Sequence, residues 1–254
     1  MVTCNLKGGL GNQMFQIATT IGYAMKHNMP YEIPENKYFN HLPKLTNEKI
    51  EYTYKEPKHP YQEIPFSNNI CLDGYFQTEK YFNHCRQQII YAFKLHPIYN
   101  NKVSIHVRRG DYLKETADRF PVIDNEYIKK SINYFNDKGY NNFLIFSDDI
   151  NWCKKNINSG IYNNSNFKYS EDTTEIQDLR LMSGCEHNII SNSTFSWWGA
   201  WLNQNPNKIV IAPKKWFGKE MNLDSTDICP ANWIRMSGKE IKNCITTHNC
   251  TIYF

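Results

Sequence analysis

Residues 102–112 restrict the possible folds of this chain more than any other segment. From residue 103 to residue 108, β-branched apolar side chains alternate with polar ones: Val103, Ser104, Ile105, His106, Val107, Arg108. This alternation predicts a strand. Gly110 and Asp111 favour turns and end it. Because successive side chains of a strand point to opposite faces, we expect His106 and Arg108 on one face and Arg109 on the other.

The carboxyl end of this strand therefore carries cationic donors where the backbone opens into a loop. In open α/β sheets, ligands bind at that edge, and arginine forks suit phosphate oxygens. A phosphorylated ligand is the first hypothesis. Two alternatives remain: an ion-paired strand end without a ligand, and display of the cell-adhesion tripeptide Arg109-Gly110-Asp111 by an interaction protein. A tripeptide directly after a buried strand is poorly displayed to a receptor.

The second half of the chain alternates between strands and helices. Strands are predicted at 142–147, at 187–191 and, as the last clear one, at 208–212. Helices are predicted from Asp124, around 173–183 and after Ser193. This order predicts an α/β fold with a mainly parallel sheet.

The first residues predict a strand at 2–6, a glycine loop at 8–13 and a helix. One helix face carries apolar residues: Met14, Ile17, Ala18, Ile21 and Met25. Such a loop lets the backbone approach a ligand, and the helix N-terminus favours anions. A dinucleotide-binding oxidoreductase is the rival interpretation, with Glu32 as the ribose-binding acid. Met14 stands where that fingerprint needs its third glycine.

The rest of the first half is less regular. Residues 34–68 contain five prolines and receive no assignment. A strand is predicted at 70–76, with Tyr75 or Gln77 placed to meet an acceptor at its end, and a helix carries inward-facing residues up to Phe93. We place a domain boundary after residue 96, which gives units 1–96 and 97–254.

Asp148 and Asp149 follow the predicted strand 142–147. Adjacent side chains leaving a strand diverge, so the pair is a poor chelator of one metal ion. One carboxylate can instead accept both N–H groups on the edge of guanine. Either aspartate could also cap the next helix.

Residues 190–201 predict a strand, a turn rich in hydroxyl groups and the start of a helix. The hydroxyls of Ser193, Thr194 and Ser196 and the free backbone N–H groups would converge on an anion. One hydroxyl is expected to serve as an ordinary N-cap. The three tryptophans that follow have the spacing of core residues.

Four segments together resemble the α-1,2-fucosyltransferase family, in the same order from residue 8 to residue 201. The His106–Tyr112 run is similar to the H-x-R-R-x-D signature of enzymes that use GDP-fucose. The other three resembling segments are Gly-Gly-Leu-Gly-Asn-Gln-Met-Phe-Gln from residue 8, Asp-Gly-Tyr-Phe-Gln-Thr-Glu-Lys-Tyr-Phe from residue 73 and Ser-Thr-Phe-Ser-Trp-Trp from residue 193.

The resemblance implies a GT-B glycosyltransferase with two facing Rossmann-like domains. Residues 1–96 would form the acceptor side, and residues 97–254 would bind the nucleotide sugar. The implied reaction moves L-fucose from GDP-β-L-fucose to a sugar hydroxyl of a galactose-type acceptor, in α-1,2 linkage and with inversion. Another linkage or acceptor is the alternative. GDP-fucose is a substrate, and neither a cofactor nor a metal is expected.

The same resemblance assigns roles to residues of the motifs. Arg108 would stabilise the charge that develops on the β-phosphate. His106, Arg109 and Asn12 would contact the donor. One of Asp148 and Asp149 would read its guanine base, and the other would cap the next helix. The general base stays open between Asp111 and Glu115, and Asp111 could instead pair with an arginine.

Composition excludes several other classes. Hydrophobic content of 41% and aromatic content of 15% over 254 residues indicate a folded globule. The net charge is +4, and the sequence lacks the concentrated basic stripe of a nucleic-acid binder. No secretory signal or membrane span is evident, so we expect a cytoplasmic protein. Eight cysteines without C-x-x-C pairs predict reduced thiols and no zinc site.

Overall fold

The computed structural model describes residues 1–46, 50–113 and 118–238. Glu115, one of the two residues expected as general base, lies outside these ranges. Within them the chain forms two parallel sheets with helices between the strands.

The smaller sheet belongs to the first part of the chain. It has three parallel strands in the order β1-β3-β2. The elements are β1 (Val2–Cys4), α1 (Leu10–His27), β2 (Tyr52–Lys55), β3 (Ile70–Asp73) and α2 (Arg86–Phe93). Two short 3₁₀ turns, Glu79–Tyr81 and Asn83–Cys85, lead into α2. The predicted inward face of α1 is buried, except that Met25 in its last turn is 48% exposed.

The larger sheet has six parallel strands in the order β6-β5-β4-β7-β8-β9. Its elements are β4 (Val103–Val107), α3 (Asn125–Asn136), β5 (Asn142–Ser147), α4 (Ile150–Asn156), β6 (Asn166–Tyr169), α5 (Glu175–Ser183), β7 (His187–Ile189), α6 (Thr194–Leu202), β8 (Val210–Pro213) and β9 (Ile234–Met236). The predicted α/β class with parallel sheets is confirmed. Strand β4, which ends at the arginine pair, lies inside this sheet between β5 and β7.

Three strands were not predicted: β2, β6 and β9. Each lies at an edge of its sheet, and each is short and largely exposed or half-buried. The strand at 208–212 is therefore not the last of the chain, because β9 pairs with β8 beyond it. An edge strand has a single neighbour and little buried area, so its residues lack a marked apolar pattern.

The two sheets divide the chain between β3 and β4, where the sequence also suggested a boundary. The hydrophobic core is nevertheless continuous from one part to the other. Trp198 of α6 is fully buried, and its ring centroid lies 5.0 Å from that of Phe15 and 5.5 Å from that of Phe82. Helix α6 thus anchors the first part of the chain on the larger sheet. The predicted split into units 1–96 and 97–254 stays a prediction.

Candidate active site

A cavity of about 860 Å³ opens where β4 and β5 end and where α1 and α6 begin. Its wall comes from both parts of the chain. Carboxyl ends of parallel strands and helix N-termini meet here, as ligand sites of α/β sheets require. A second cavity, of about 1090 Å³, lies around Lys214 and Met236 and contains none of the described residues predicted for the site. We therefore take the first as the candidate site.

Arg108 lines this cavity between two carboxylates. Its Nε lies 2.9 Å from Oδ1 of Asp111 and 3.2 Å from Oδ2 of Asp148. Its Nη2 lies 2.8 Å from the same Asp111 oxygen. Ion pairs this exposed add little stability, but together they fix the direction of the guanidinium. Asp111 therefore has the Arg pairing that sequence analysis gave as the alternative to a role as base.

His106 lies on the same strand face and also lines the cavity. Only 5% of it is exposed, and its Nδ1 lies 2.8 Å from Oγ of Ser191. Burial, with the nearby charge of Arg108, lowers the pKa of His106 to about 3. The imidazole is therefore neutral at physiological pH, with one N–H to donate and one lone pair to accept.

The start of α6 presents backbone donors to the cavity. Ser193 is the N-cap residue, but its side chain makes no capping hydrogen bond, and no acidic residue lies in the first helical turn. Ser193, Thr194 and Phe195 all line the cavity. The positive end of the helix is therefore left to be satisfied by something in the cavity.

Ser196 does not reach the cavity. It is fully buried, and its hydroxyl donates to the backbone oxygen of Ser193 at 3.3 Å, so the hydroxyl is turned into the helix. Of the three residues whose hydroxyls were predicted at the site, Ser193 and Thr194 therefore line the cavity and Ser196 does not.

Helix α1 begins beside α6, and its cap, Gly9, has no side chain to offer. A Cβ on Gly11 would lie 2.6 Å from the backbone N of Phe195, so only glycine permits this approach of the two helices. Asn12 lines the cavity, and its Oδ1 accepts a hydrogen bond from Gln77 at 2.9 Å. Two helix N-termini therefore face one space, which favours an anion.

Asp148 and Asp149 have separate roles. The two carboxylate oxygens of Asp148 accept the backbone N–H groups of Arg109 (2.9 Å) and Gly110 (3.0 Å), and so shape the loop after β4. Oδ1 of Asp149 accepts the N–H of Trp152 and caps α4. The capping role is confirmed for Asp149. Guanine recognition by Asp148 stays a prediction. A guanine ring bound there would have to share the carboxylate oxygens of Asp148 with these backbone donors.

Arg109 is not brought to the cavity. Its guanidinium lies 3.8 Å from the ring centroid of Trp152, and its Nε lies 3.3 Å from Oδ2 of Asp149. Arg109 thus points to the opposite strand face from Arg108, as the alternation predicts. Its contacts are with α4, on the far side of the strand from the predicted donor.

Sequence analysis missed several residues of the cavity wall. Asp178 lines it from the first turn of α5, where an acid looks like ordinary helix stabilisation. Glu56 and His59 line it from the segment left unassigned, and Phe120 and Phe217 come from loops. None carries a local signal, because each reaches the site only through long-range packing. Tyr75 and Gln77, expected near an acceptor, do line the cavity.

The sequence of residues 1–237 matches the family model of glycosyl transferase family 11. This match covers both sheets and every described residue of the cavity. The chain belongs to glycosyl transferase family 11.

Relatives within the family carry more specific names. An alpha-1,2-colitosyltransferase of Escherichia coli is 31% identical over 93% of this chain and 99% of its own length. The O-antigen biosynthesis glycosyltransferase WbnK of Escherichia coli is 35% identical over 64% of this chain and 62% of its own. The galactoside 2-alpha-L-fucosyltransferase SEC1 of Bos taurus is 27% identical over 79% of this chain and 64% of its own.

A solved structure of POFUT1 in complex with GDP-fucose shares 12% identity and superposes on 83% of this chain and 97% of its own, with a TM-score of 0.48. The NodZ alpha-1,6-fucosyltransferase soaked with GDP-fucose gives 12% identity over 79% and 92%, with a TM-score of 0.46.

Family membership and geometry together disfavour the rival functions. Glu32, the acid required by the oxidoreductase interpretation, binds the N–H and hydroxyl of Thr46 through Oε2. In the tripeptide of the adhesion interpretation, Asp111 pairs with Arg108 at the cavity wall.

Residues 1–46, 50–113 and 118–238 contain no group of three or more His, Cys, Asp or Glu arranged to hold a metal. No helix in these ranges combines the length and the apolar character needed to cross a membrane.

Proposed function

We propose that this family 11 enzyme transfers L-fucose from GDP-β-L-fucose to a galactoside hydroxyl in α-1,2 linkage, with inversion at the anomeric carbon. The observation that carries the proposal is the cationic end of the cavity. There Arg108 lies in the same cavity as the N-termini of α1 and α6, neither of which has a side-chain cap. The names of the relatives supply the sugar, the linkage and the acceptor class.

The fold fits such a transferase as a GT-B arrangement. On this proposal the two parallel sheets are the two facing units, and the donor lies between them with its nucleotide on the larger sheet. Arg108 and the start of α6 receive the diphosphate, and His106 contacts the nucleotide as a neutral ring.

The chemistry asked of the protein is stabilisation of the leaving group. As the bond between C1 and the phosphate oxygen breaks, its electron pair stays on the β-phosphate. Donors already aimed at that oxygen lower the barrier, because they need no reorganisation during the reaction. Arg108, held by Asp111 and Asp148, and the N–H groups of Thr194 and Phe195 are suited to this role.

The alternative donor is GDP-colitose, whose sugar lacks one hydroxyl that fucose carries. It is favoured by the colitosyltransferase, which this chain matches over 99% of that protein's length. The two donors are compared directly by measuring GDP release with each, using a β-galactoside acceptor, and by determining the linkage of the product by NMR. The proposal fails if GDP-fucose yields no 2-linked galactoside, and a product from GDP-colitose alone would favour the alternative donor.

Nucleotide choice tests which carboxylate reads the base. We expect GDP to bind and ADP to bind poorly, because adenine has an acceptor where guanine offers N–H donors. Asp178 competes with Asp148 for this role: Oδ1 of Asp178 accepts hydrogen bonds from Ser170 and Thr173, whereas Oδ2 has no hydrogen bond within the described residues. If the aspartate that reads guanine is replaced by asparagine, GDP binding should weaken and ADP binding should stay nearly unchanged.

Calorimetry with GDP and ADP on Asp178→Asn and Asp148→Asn measures this. Asp172→Asn is the matched control, because Asp172 is exposed in the loop that leads into α5 and does not line the cavity. Equal affinity of the unaltered protein for GDP and ADP would contradict guanine recognition altogether. A loss confined to Asp148→Asn would restore the assignment made from sequence.

Transfer should also survive chelation. The oxygens of Asp148 are engaged by two backbone N–H groups and Arg108, and Asp149 caps α4, so neither is arranged to hold a divalent ion. We expect the same initial rate with and without EDTA. A rate that EDTA abolishes and Mg²⁺ or Mn²⁺ restores would show that a metal neutralises the diphosphate instead.

A further inference from the structure

An aromatic wall runs across the cavity from Arg108 to His59. The guanidinium of Arg108 lies 5.8 Å from the ring centroid of Tyr112, which stacks on Phe120 at 5.2 Å. Phe120 lies 6.2 Å from Phe217, and Phe217 meets His59 edge-on at 5.6 Å. All five residues line the one cavity. The wall therefore connects the phosphate end of the site to a histidine on the opposite, N-terminal part of the chain.

The loops that carry the two phenylalanines are locked together. The backbone N–H of Gly218 donates to the carbonyl oxygen of Arg119 at 2.7 Å. A Cβ on Gly218 would lie 1.9 Å from the carbonyl oxygen of Asp118, so no larger residue fits this junction. Phe120 and Phe217 are half-buried and yet open to the cavity. A fixed, open aromatic surface suits the apolar C–H face of a pyranose ring.

Three carboxylates near this wall are already engaged. Asp111 pairs with Arg108, and Asp148 accepts two backbone N–H groups. Oε2 of Glu56 accepts the N–H groups of Tyr75 and Phe76 at 2.7 and 3.0 Å. By contrast, no residue in the described ranges forms a hydrogen bond with the ring of His59. Its ring nitrogens are therefore open to a ligand.

We propose that His59 is the general base and that Phe217 and Phe120 are the platform for the acceptor sugar. The proposal rests on the transferase function proposed above. The acceptor lies with its apolar face on the two rings, and its attacking hydroxyl gives its proton to a ring nitrogen of His59. The oxygen then bonds to C1 of the donor sugar, the C1–phosphate bond breaks, and its electron pair leaves with GDP.

The charge around His59 suits this task. Burial lowers its pKa from the ordinary value of 6.5, while the negative charges of Glu56 and Asp224 act in the opposite direction. The other charged groups at this corner are Lys58, which lines the cavity, and Asp227, which pairs with Lys80. A base must be deprotonated before it can act, so activity should be lost as pH falls through the pKa of His59, below 6.5.

The decisive measurement is the pH profile of kcat for His59→Gln. Removing a general base typically costs about 10²- to 10⁴-fold in rate, and we expect a loss in that range at neutral pH with GDP affinity unchanged. The acid limb expected for the unaltered enzyme should be absent from the variant. Imidazole added to His59→Ala should restore part of the rate. A purely structural histidine would give neither effect.

His96→Gln is the matched control, because His96 is exposed and, like His59, precedes a proline. It should keep both the rate and the acid limb. An acid limb retained in His59→Gln, or a rate equal to that of His96→Gln, overturns the proposal. If His59→Gln fails to fold, Phe217→Leu decides: a raised acceptor KM with unchanged GDP affinity supports the platform, and an unchanged KM overturns it.

The two proposals fail in different ways. If the unaltered enzyme makes no 2-linked product from GDP-fucose or GDP-colitose, the proposed function is wrong. If it makes the product and the His59 variants do so equally well, only the acceptor assignment is wrong.

Discussion

Arg108→Ala is expected to lower the rate of sugar transfer by about 10²- to 10³-fold while the protein stays folded, as does loss of a single oxyanion donor elsewhere. Arg108 is 37% exposed at its side chain, so its removal creates no buried cavity. It does leave Asp111 and Asp148 without their shared cation beside the diphosphate. GDP binding should therefore weaken as well, because two carboxylates then repel the phosphates.

Two further variants separate charge from geometry. Arg108→Lys keeps the charge but loses the fork that binds two oxygens, so it should recover only part of the rate. Asp111→Asn weakens the pair that directs Arg108, and should cost less than Arg108→Ala if Asp111 only positions the arginine. A loss as large as that of Arg108→Ala would favour Asp111 as the base.

Arg109→Ala is the matched control for Arg108→Ala. Its guanidinium packs on Trp152 and pairs with Asp149, so its loss should lower the free energy of unfolding and leave kcat nearly unchanged. Steady-state kinetics measures kcat, and urea unfolding measures the free energy of unfolding, for both variants. An inactive but folded Arg109→Ala beside a normally active Arg108→Ala would mean that the strand faces are assigned the wrong way round.

Trp198→Ala is expected to lower the free energy of unfolding by about 3–5 kcal/mol, the usual cost of truncating a buried aromatic residue. Trp198 is fully buried and packs against Phe15, Phe82 and Phe93 from the first part of the chain. Its Nε1 also donates to the carbonyl oxygen of Gly11 at 3.0 Å. The truncation thus removes both the packing between the two parts and a bond at the start of α1.

Urea unfolding of Trp198→Ala, Trp198→Phe and Tyr91→Ala measures the effect. Trp198→Phe keeps most of the ring packing and loses the N–H donor, so it should fall between the other two. Tyr91 is 77% exposed, and its truncation should stay within about 0.5 kcal/mol. If Trp198→Ala unfolds no more easily than Tyr91→Ala, the continuous core does not hold the two parts together.

The sequence alone was enough for the features that depend on local pattern. The alternation at 103–107 identifies a strand, and the same alternation places Arg108 and Arg109 on opposite faces, because side-chain direction follows from backbone geometry alone. The helices around Asp124 and 173–183 were predicted for the same reason. The glycine loop and the hydroxyl turn at Ser193 also lie where the sequence placed them.

Only the tertiary structure decided how these parts meet. Parallel pairing of β4 with β5 brings Asp148 to the backbone of Arg109 and Gly110, so its oxygens are engaged by partners 38 and 39 residues away. Ser196 was lost to the site because one turn of helix rotates its hydroxyl inward. Asp178 and His59 entered the site through packing between distant segments. A local pattern records the direction of a side chain relative to its own backbone, whereas the partner it meets depends on contacts that no short segment contains.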